Sequence, residues 1–152
     1  MSREELVALL DEIRADLDFL DHPWCLIGSA ALIVAGVDWG SCEDVDILTT
    51  TAGAMALEAR WAAYRDLDFK PDGQAPFRSR FSRYNFLAGR VEVMGDLQVW
   101  RGHRYVALDP GETVLHPYAG RSLPAPSLAD QVRILKTFGR PKDLAKLAFV
   151  HL

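Results

Sequence analysis

The chain has 152 residues, of which 49% are hydrophobic and 25% charged, with a formal net charge of −4. This is the balance of an ordinary globular domain. It predicts one domain over residues 1–152 with length enough for a full core. The acidic sum excludes a general nucleic-acid binder driven by a global basic field, while leaving room for a local basic groove.

Taken in order, Ser2 with Glu5 three positions later forms a capping-box pattern. Leu6, Leu9, Leu10, Ile13, Leu17 and Leu20 then recur at helical spacing and predict an amphipathic helix to about Leu20. This charged helical start does not read as a secretory signal, and the longest apolar stretch, 24–37, is too short to span a bilayer. A cytoplasmic location is therefore expected. Asp21-His22-Pro23 closes the helix, with His22 as a loop residue.

Residues 24–27 form a short apolar run with the character of a buried strand. Gly28-Ser29 breaks it and opens an Ala-rich segment that favours helix. After a polar loop, Asp44-Val45-Asp46-Ile47-Leu48 alternates like a strand. The period of two places Asp44 and Asp46 on one face, Val45 and Ile47 on the other, and turns Glu43 away from the pair. Paired carboxylates repel unless a cation lies between them, and hard divalent cations take oxygen ligands of this kind. Free N–H groups at a helix start suit a phosphate. Of the two cysteines, Cys25 is expected in the core and Cys42 to be partly exposed; their spacing fits no zinc site, and two are too few for a disulfide scaffold.

A second helix is predicted over 54–64, its aromatic residues facing the core. Residues 66–76 form a polar loop with Pro71, Gly73 and Pro76, either a connector or a substrate contact. Residues 77–87 alternate as a strand that puts Arg78 and Arg80 on one face; a turn at 88–90 returns the chain through the strand 91–94. Glu92 points opposite to Val91 and Val93, so it meets the aspartates if this strand lies beside theirs. Short β segments follow at 97–100, 105–108 and 114–118, the last closed by Gly120, Pro124 and Pro126. Ser127 caps a helix that buries Leu128, Val132, Ile134 and Leu135 and stops at Gly139. Pro141 starts a final short helix. His103, His116 and His151 have no partnered spacing and read as surface or loop residues.

Gly28-Ser29, Asp44-x-Asp46 and the later acid Glu92 resemble, in that order, the signature of the nucleotidyltransferase superfamily, the family of DNA polymerase beta. Lys136-x-x-Gly139-Arg140-Pro141-Lys142-Asp143 is similar to the tail motif of its small bacterial members, which include toxin and abortive-infection types. The resemblance implies an α/β (α+β) fold: a mixed sheet with helices packed on it, one N-terminal helix and C-terminal helices. It implies transfer of a nucleoside monophosphate from a nucleoside triphosphate to an acceptor hydroxyl on a small molecule, RNA or protein. Two Mg²⁺ ions, or Mn²⁺, would be held by Asp44, Asp46 and Glu92 as catalytic and metal-ligating residues. Gly28, Ser29, Lys136, Arg140 and Lys142 would bind the nucleotide phosphates, with Arg78 and Arg80 as weaker candidates.

Each residue also has a plainer reading. Asp44 could cap a loop while Asp46 makes a structural salt bridge; Glu92 could be a solvated strand residue; Lys136 and Arg140 could be an ordinary charged face. Asp143 suits a first helical turn on dipole grounds alone. Trp39 and Ser41 stand where many relatives carry an arginine and a threonine, and Lys146 stands where they often carry a second aspartate. The alternative function is a non-catalytic nucleotide- or partner-binding module, or one half of a toxin–antitoxin pair. No membrane partner is expected; a homodimer or a small protein partner could complete the acceptor site.

Overall fold

The computed structural model describes residues 1–72 and 76–152. The predicted loop glycine, Gly73, lies outside the described residues. Helix α1 (Arg3–Asp18) carries the expected capping box, with the Glu5 amide donating to Ser2 Oγ at 3.1 Å. Its buried stripe is Leu6, Leu9, Leu10, Ile13 and Leu17. Strand β1 (Trp24–Ile27) runs into helix α2 (Gly28–Val34), and strand β2 (Asp44–Thr49) is followed by helix α3 (Thr51–Arg60).

The hairpin is β3 (Phe77–Asn85) and β4 (Arg90–Trp100). Separate strands were expected at 91–94 and 97–100, but β4 runs on unbroken from Arg90 to Trp100 before β5 (Tyr105–Ala107). The break signal came from Gly95-Asp96. The chain keeps Gly95 because the N-terminus of α3 packs directly on it: an added Cβ would stand 2.8 Å from Ala54 Cβ. Asp96, in the left-handed region, then turns its carboxylate to accept the Thr51 amide at 2.9 Å.

The last strands are β6 (Thr113–Tyr118) and β7 (Arg121–Pro126), an antiparallel pair. Residues 121–126 were expected only to close the preceding segment. Pro124 and Pro126 sit within a strand because β7 has a ladder partner on one side only, where a missing N–H is tolerated. Ala119 and Gly120, both at positive φ, make the two-residue turn. Helices α4 (Leu128–Phe138) and α5 (Pro141–Leu147) end the fold, with Gly139 capping α4 in the left-handed conformation.

The main sheet has the order β1-β2-β4-β3, with β5 also paired to β4. Among the described residues only β2 and β4 pair in parallel; the other pairs of this sheet are antiparallel. One face, bearing Val45, Ile47, Val91 and Val93, packs on α1, α2 and α3. Trp61 is at its centre, edge-on to Tyr84 and Phe86, while its indole N–H donates to Asp16 at 2.8 Å. Tyr64, predicted inward, is 44% exposed and only stacks on Phe86. The chain after Trp61 tightens into a short 3₁₀ turn, and that rotates Tyr64 outward. The other face carries Cys25, Ile27, Leu48 and Leu97 under Phe77 and Phe138. Cys42 is buried rather than partly exposed, because the loop before β2 folds back into the main core. Among the described residues no helix is long and apolar enough to cross a membrane.

Candidate active site

The sheet order turns a sequence pattern into a row of side chains. Ile27 pairs with Asp46, Asp46 with Glu92, and Glu92 with Arg83 on four successive strands. Asp44 is two residues along β2, beside Arg90. Val45 and Ile47 are fully buried on the opposite face, so the pleat forces both aspartates toward the cleft. Glu92 is adjacent to them because β4 is parallel to β2 at that register, a non-local pairing.

These residues lie in a cleft of about 890 Å³. Gly28 and Ser29 close one end; Arg83, Phe69 and Phe81 line the other. Gly28 has φ +71°, and a Cβ there would stand 2.6 Å from Asp46 Oδ2. The backbone thus approaches the carboxylate as only glycine permits. Ile27, the cap of α2, offers no side-chain acceptor to the first-turn N–H groups that follow Gly28. Ser29 lines the cleft beside them.

Burial, then the charges of Glu92 and Asp44, push the Asp46 carboxyl up to about 8, against the relief given by Lys146 and Lys142. Asp46 keeps some exposed surface, yet its carboxyl lies against Gly28, where water is scarce. Burial also raises Glu92, partly offset by its hydrogen bond from Arg83. Asp44 Oδ1 is buried and accepts no hydrogen bond from the described residues, although Arg90 Nε is 3.3 Å away; the separation is that of an ion pair and the alignment is not that of a hydrogen bond. A buried orphan carboxylate oxygen beside a second carboxylate is the donor chemistry of a hard-cation site. The three acids do not, however, form a converged cluster as they stand; among the described residues no group of three such ligands is preformed. Glu92 is turned to Arg83, whose Nε donates to Glu92 Oε2 at 3.0 Å and whose Nη2 makes an ion pair with the same oxygen at 2.9 Å.

The raised Asp46 value has a consequence without any metal. Between pH 4 and 8 the folded chain holds a proton there that the unfolded chain has released, so its contribution makes stability fall as pH rises through this window. Melting curves in EDTA are expected to show that slope in the parent and not in Asp46→Asn, with the variant the more stable at pH 8. Parallel pH profiles would refute it.

The tail motif divides. Arg140, Lys142 and Asp143 line the cleft; Lys136 is exposed outside it, in a shallow surface hollow with Arg101 and Arg133. The two groups do not share a helix: Gly139 ends α4 after Lys136, and Arg140 caps α5, which carries Lys142 and Asp143. Asp143 does more than complement a helix dipole. It is 1% exposed and accepts from Arg140 Nε at 2.6 Å and Nη2 at 3.0 Å, holding that guanidinium over the Phe77 ring. Lys146, on the next turn of α5, faces Asp46 and has its ammonium pKa lowered by burial. Its i,i+4 spacing from Lys142 was the readable signal.

Arg78 and Arg80 part company, because a register shift lies between them on β3. Arg78 lines the cleft and bonds Gln98 at 2.7 Å; Arg80 pairs with Glu58 of α3 at 3.0 Å. The bulge undoes the simple alternation that had put them on one face. Arg83, Arg90, Phe69 and Trp39 also line the cleft. Trp39 packs edge-on against Phe149 at 5.1 Å. His116 is half-buried, its Nε2 3.1 Å from the Pro126 carbonyl.

The fold matches that of solved nucleotidyltransferase structures. TM1012 of Thermotoga maritima, a nucleotidyltransferase by provisional name, superposes with a TM-score of 0.79 at 22% identity over 97% of this chain and 93% of its own. The lincosamide antibiotic adenylyltransferase LnuA, in its lincomycin-bound crystal structure, gives 0.61 at 12% identity, covering 97% and 95%. ANT(2″)-Ia in complex with adenylyl-2″-tobramycin gives 0.58 at 15%, covering 94% and 86%. No family model matches the sequence, and no curated protein matches it.

Proposed function

We propose that the chain is a metal-dependent nucleotidyltransferase that moves a nucleoside monophosphate from a nucleoside triphosphate to an acceptor hydroxyl. The observation that carries this is Asp46 and Glu92 paired across adjacent strands, with Gly28 at the start of α2 set against Asp46 and the Asp44 oxygen that lacks a hydrogen bond beside them. Asp44 and Asp46 would hold two Mg²⁺ ions, and Glu92 would complete the shell of one. When bound, such a pair neutralises charge on the attacking and leaving oxygens. Ser29 and the N–H groups after Gly28 would receive the terminal phosphates. Lys142 and Lys146 supply positive charge to the same end of the cleft, while Arg140 presents only the donors that Asp143 leaves over. Glu92 would also take the acceptor's proton.

A small-molecule hydroxyl is the favoured acceptor. The cleft has the volume of a small-ligand site, and LnuA and ANT(2″)-Ia are found with small molecules. The rival reading, a non-catalytic nucleotide binder, is supported by the Arg83–Glu92 pairing, which leaves the third acid engaged.

Calorimetry with each of the four ribonucleoside triphosphates, with and without Mg²⁺, tests the site. We expect binding of at least one nucleotide that requires Mg²⁺. Absence of heat with all four, from folded protein, refutes the proposal; binding without turnover on any acceptor favours the rival.

A further inference from the structure

We propose that Arg83 is a built-in counter-ion which competes with a divalent cation for Glu92, so that cation and nucleoside triphosphate enter the site together rather than in turn. This deepens the nucleotidyltransferase reading and rests on it. The Arg83–Glu92 pair is sheltered, each side chain being 15% exposed, and the two residues are direct partners across β3 and β4. The guanidinium is further held by the Phe69 ring, with Cζ 3.3 Å from its centroid. Phe69 in turn leans on Phe81 at 5.7 Å. Arg83 is therefore positioned by two independent contacts, and its hold on Glu92 is not a loose surface pairing.

The other acids are answered too. Asp44 has Arg90 at 3.3 Å, and Lys146 and Lys142 act on Asp46 from α5. Three acids thus face four basic side chains. A bare divalent cation must draw Glu92 off Arg83 and add two charges beside acids that these basic side chains already outnumber. That leaves a sheltered guanidinium unpaired beside a cation, which is costly. A triphosphate reverses the balance. It brings several negative charges and offers Arg83 phosphate oxygens, a partner the guanidinium fork suits as well as a carboxylate. The favourable coupling must be reciprocal: the nucleotide tightens the cation by the factor by which the cation tightens the nucleotide.

The test is Mn²⁺ titration, with free Mn²⁺ read by electron paramagnetic resonance, alone and with a saturating non-hydrolysable nucleoside triphosphate. The parent is expected to bind Mn²⁺ about 100-fold more tightly with the analogue than without it. Arg83→Gln should bind Mn²⁺ alone about tenfold more tightly than the parent, and its coupling should shrink by the same factor. Arg80→Gln, whose partner Glu58 lies on the other face, should match the parent. If Arg83→Gln does not fold, Phe69→Leu loosens the same guanidinium and should shift Mn²⁺ affinity in the same direction. Equal Mn²⁺ affinity in parent and variant, with Mn²⁺-nucleotide binding intact in both, overturns the counter-ion role and leaves the nucleotidyltransferase reading standing. No Mn²⁺ or nucleotide binding in any protein overturns both.

Discussion

Asp44→Ala and Asp46→Ala are each expected to lower the proposed nucleotidyl transfer by about 10³-fold or more, and to abolish Mg²⁺-dependent nucleotide binding. Positioning and charge neutralisation by bound metal are worth several kcal/mol, and each 1.4 kcal/mol is tenfold in rate. The protein supplies no covalent nucleophile in this chemistry, so little remains to compensate. The same substitutions should leave the metal-free fold as stable as the parent or more so. Asp44 Oδ1 is a buried acceptor without a hydrogen bond, and Asp46 sits where burial and two neighbouring acids oppose its charge. The opposed signs make the experiment decisive. A melting temperature that holds or rises, together with loss of the thermal shift caused by Mg²⁺ and nucleotide, is the signature of a site acid. A drop in stability with nucleotide binding preserved would assign the aspartates a structural role and refute the metal site.

Gly28→Ala is expected to damage the site and the fold together. The residue has φ +71°, a conformation that costs an alanine roughly 1–2 kcal/mol. For a chain of this size that is a fall in melting temperature of several degrees. The new Cβ would also meet Asp46 Oδ2 at 2.6 Å, and either the aspartate or the start of α2 must move. Misplacement on this scale should weaken Mg²⁺-nucleotide binding about tenfold or more. Gly36→Ala separates the two effects. Gly36 also has positive φ, +91°, but nothing lies within 4 Å of a Cβ there. It should lose comparable stability and keep its nucleotide affinity. Equal affinity in Gly28→Ala and the parent would show that the close approach to Asp46 has no part in binding.

How much of this was legible in the chain differs by element. The cap of α1 and its leucine stripe were readable because capping and helical periodicity are local. The two aspartates sharing a face was readable for the same reason: a strand alternates whatever it pairs with. Non-local features were not. Residues 121–126, rich in proline, became a strand because β6 offered a partner on one side only. Gly95-Asp96 looked like a break, yet β4 passed through because α3 packs on the glycine. The bulge that separates Arg78 from Arg80 is set by pairing with β4, which no alternation pattern reports.

The candidate site divides along the same line. The sequence by itself determined the residue types of the candidate site and their local geometry: Gly28 at a helix start, Asp44 and Asp46 on one face, and Gly139, Arg140 and Pro141 at a helix junction. Only the tertiary structure decided who faces whom. The parallel register of β2 and β4 brings Glu92 to Asp46; the antiparallel register of β3 gives Glu92 to Arg83. The packing of α4 and α5 admits Lys142 and Lys146 to the cleft and leaves Lys136 outside. The reason is range. Backbone sterics and side-chain period act over a few residues and are written in their order. Electrostatic partnership depends on distances between strands and helices far apart in the chain, and those exist only once the sheet has chosen its register.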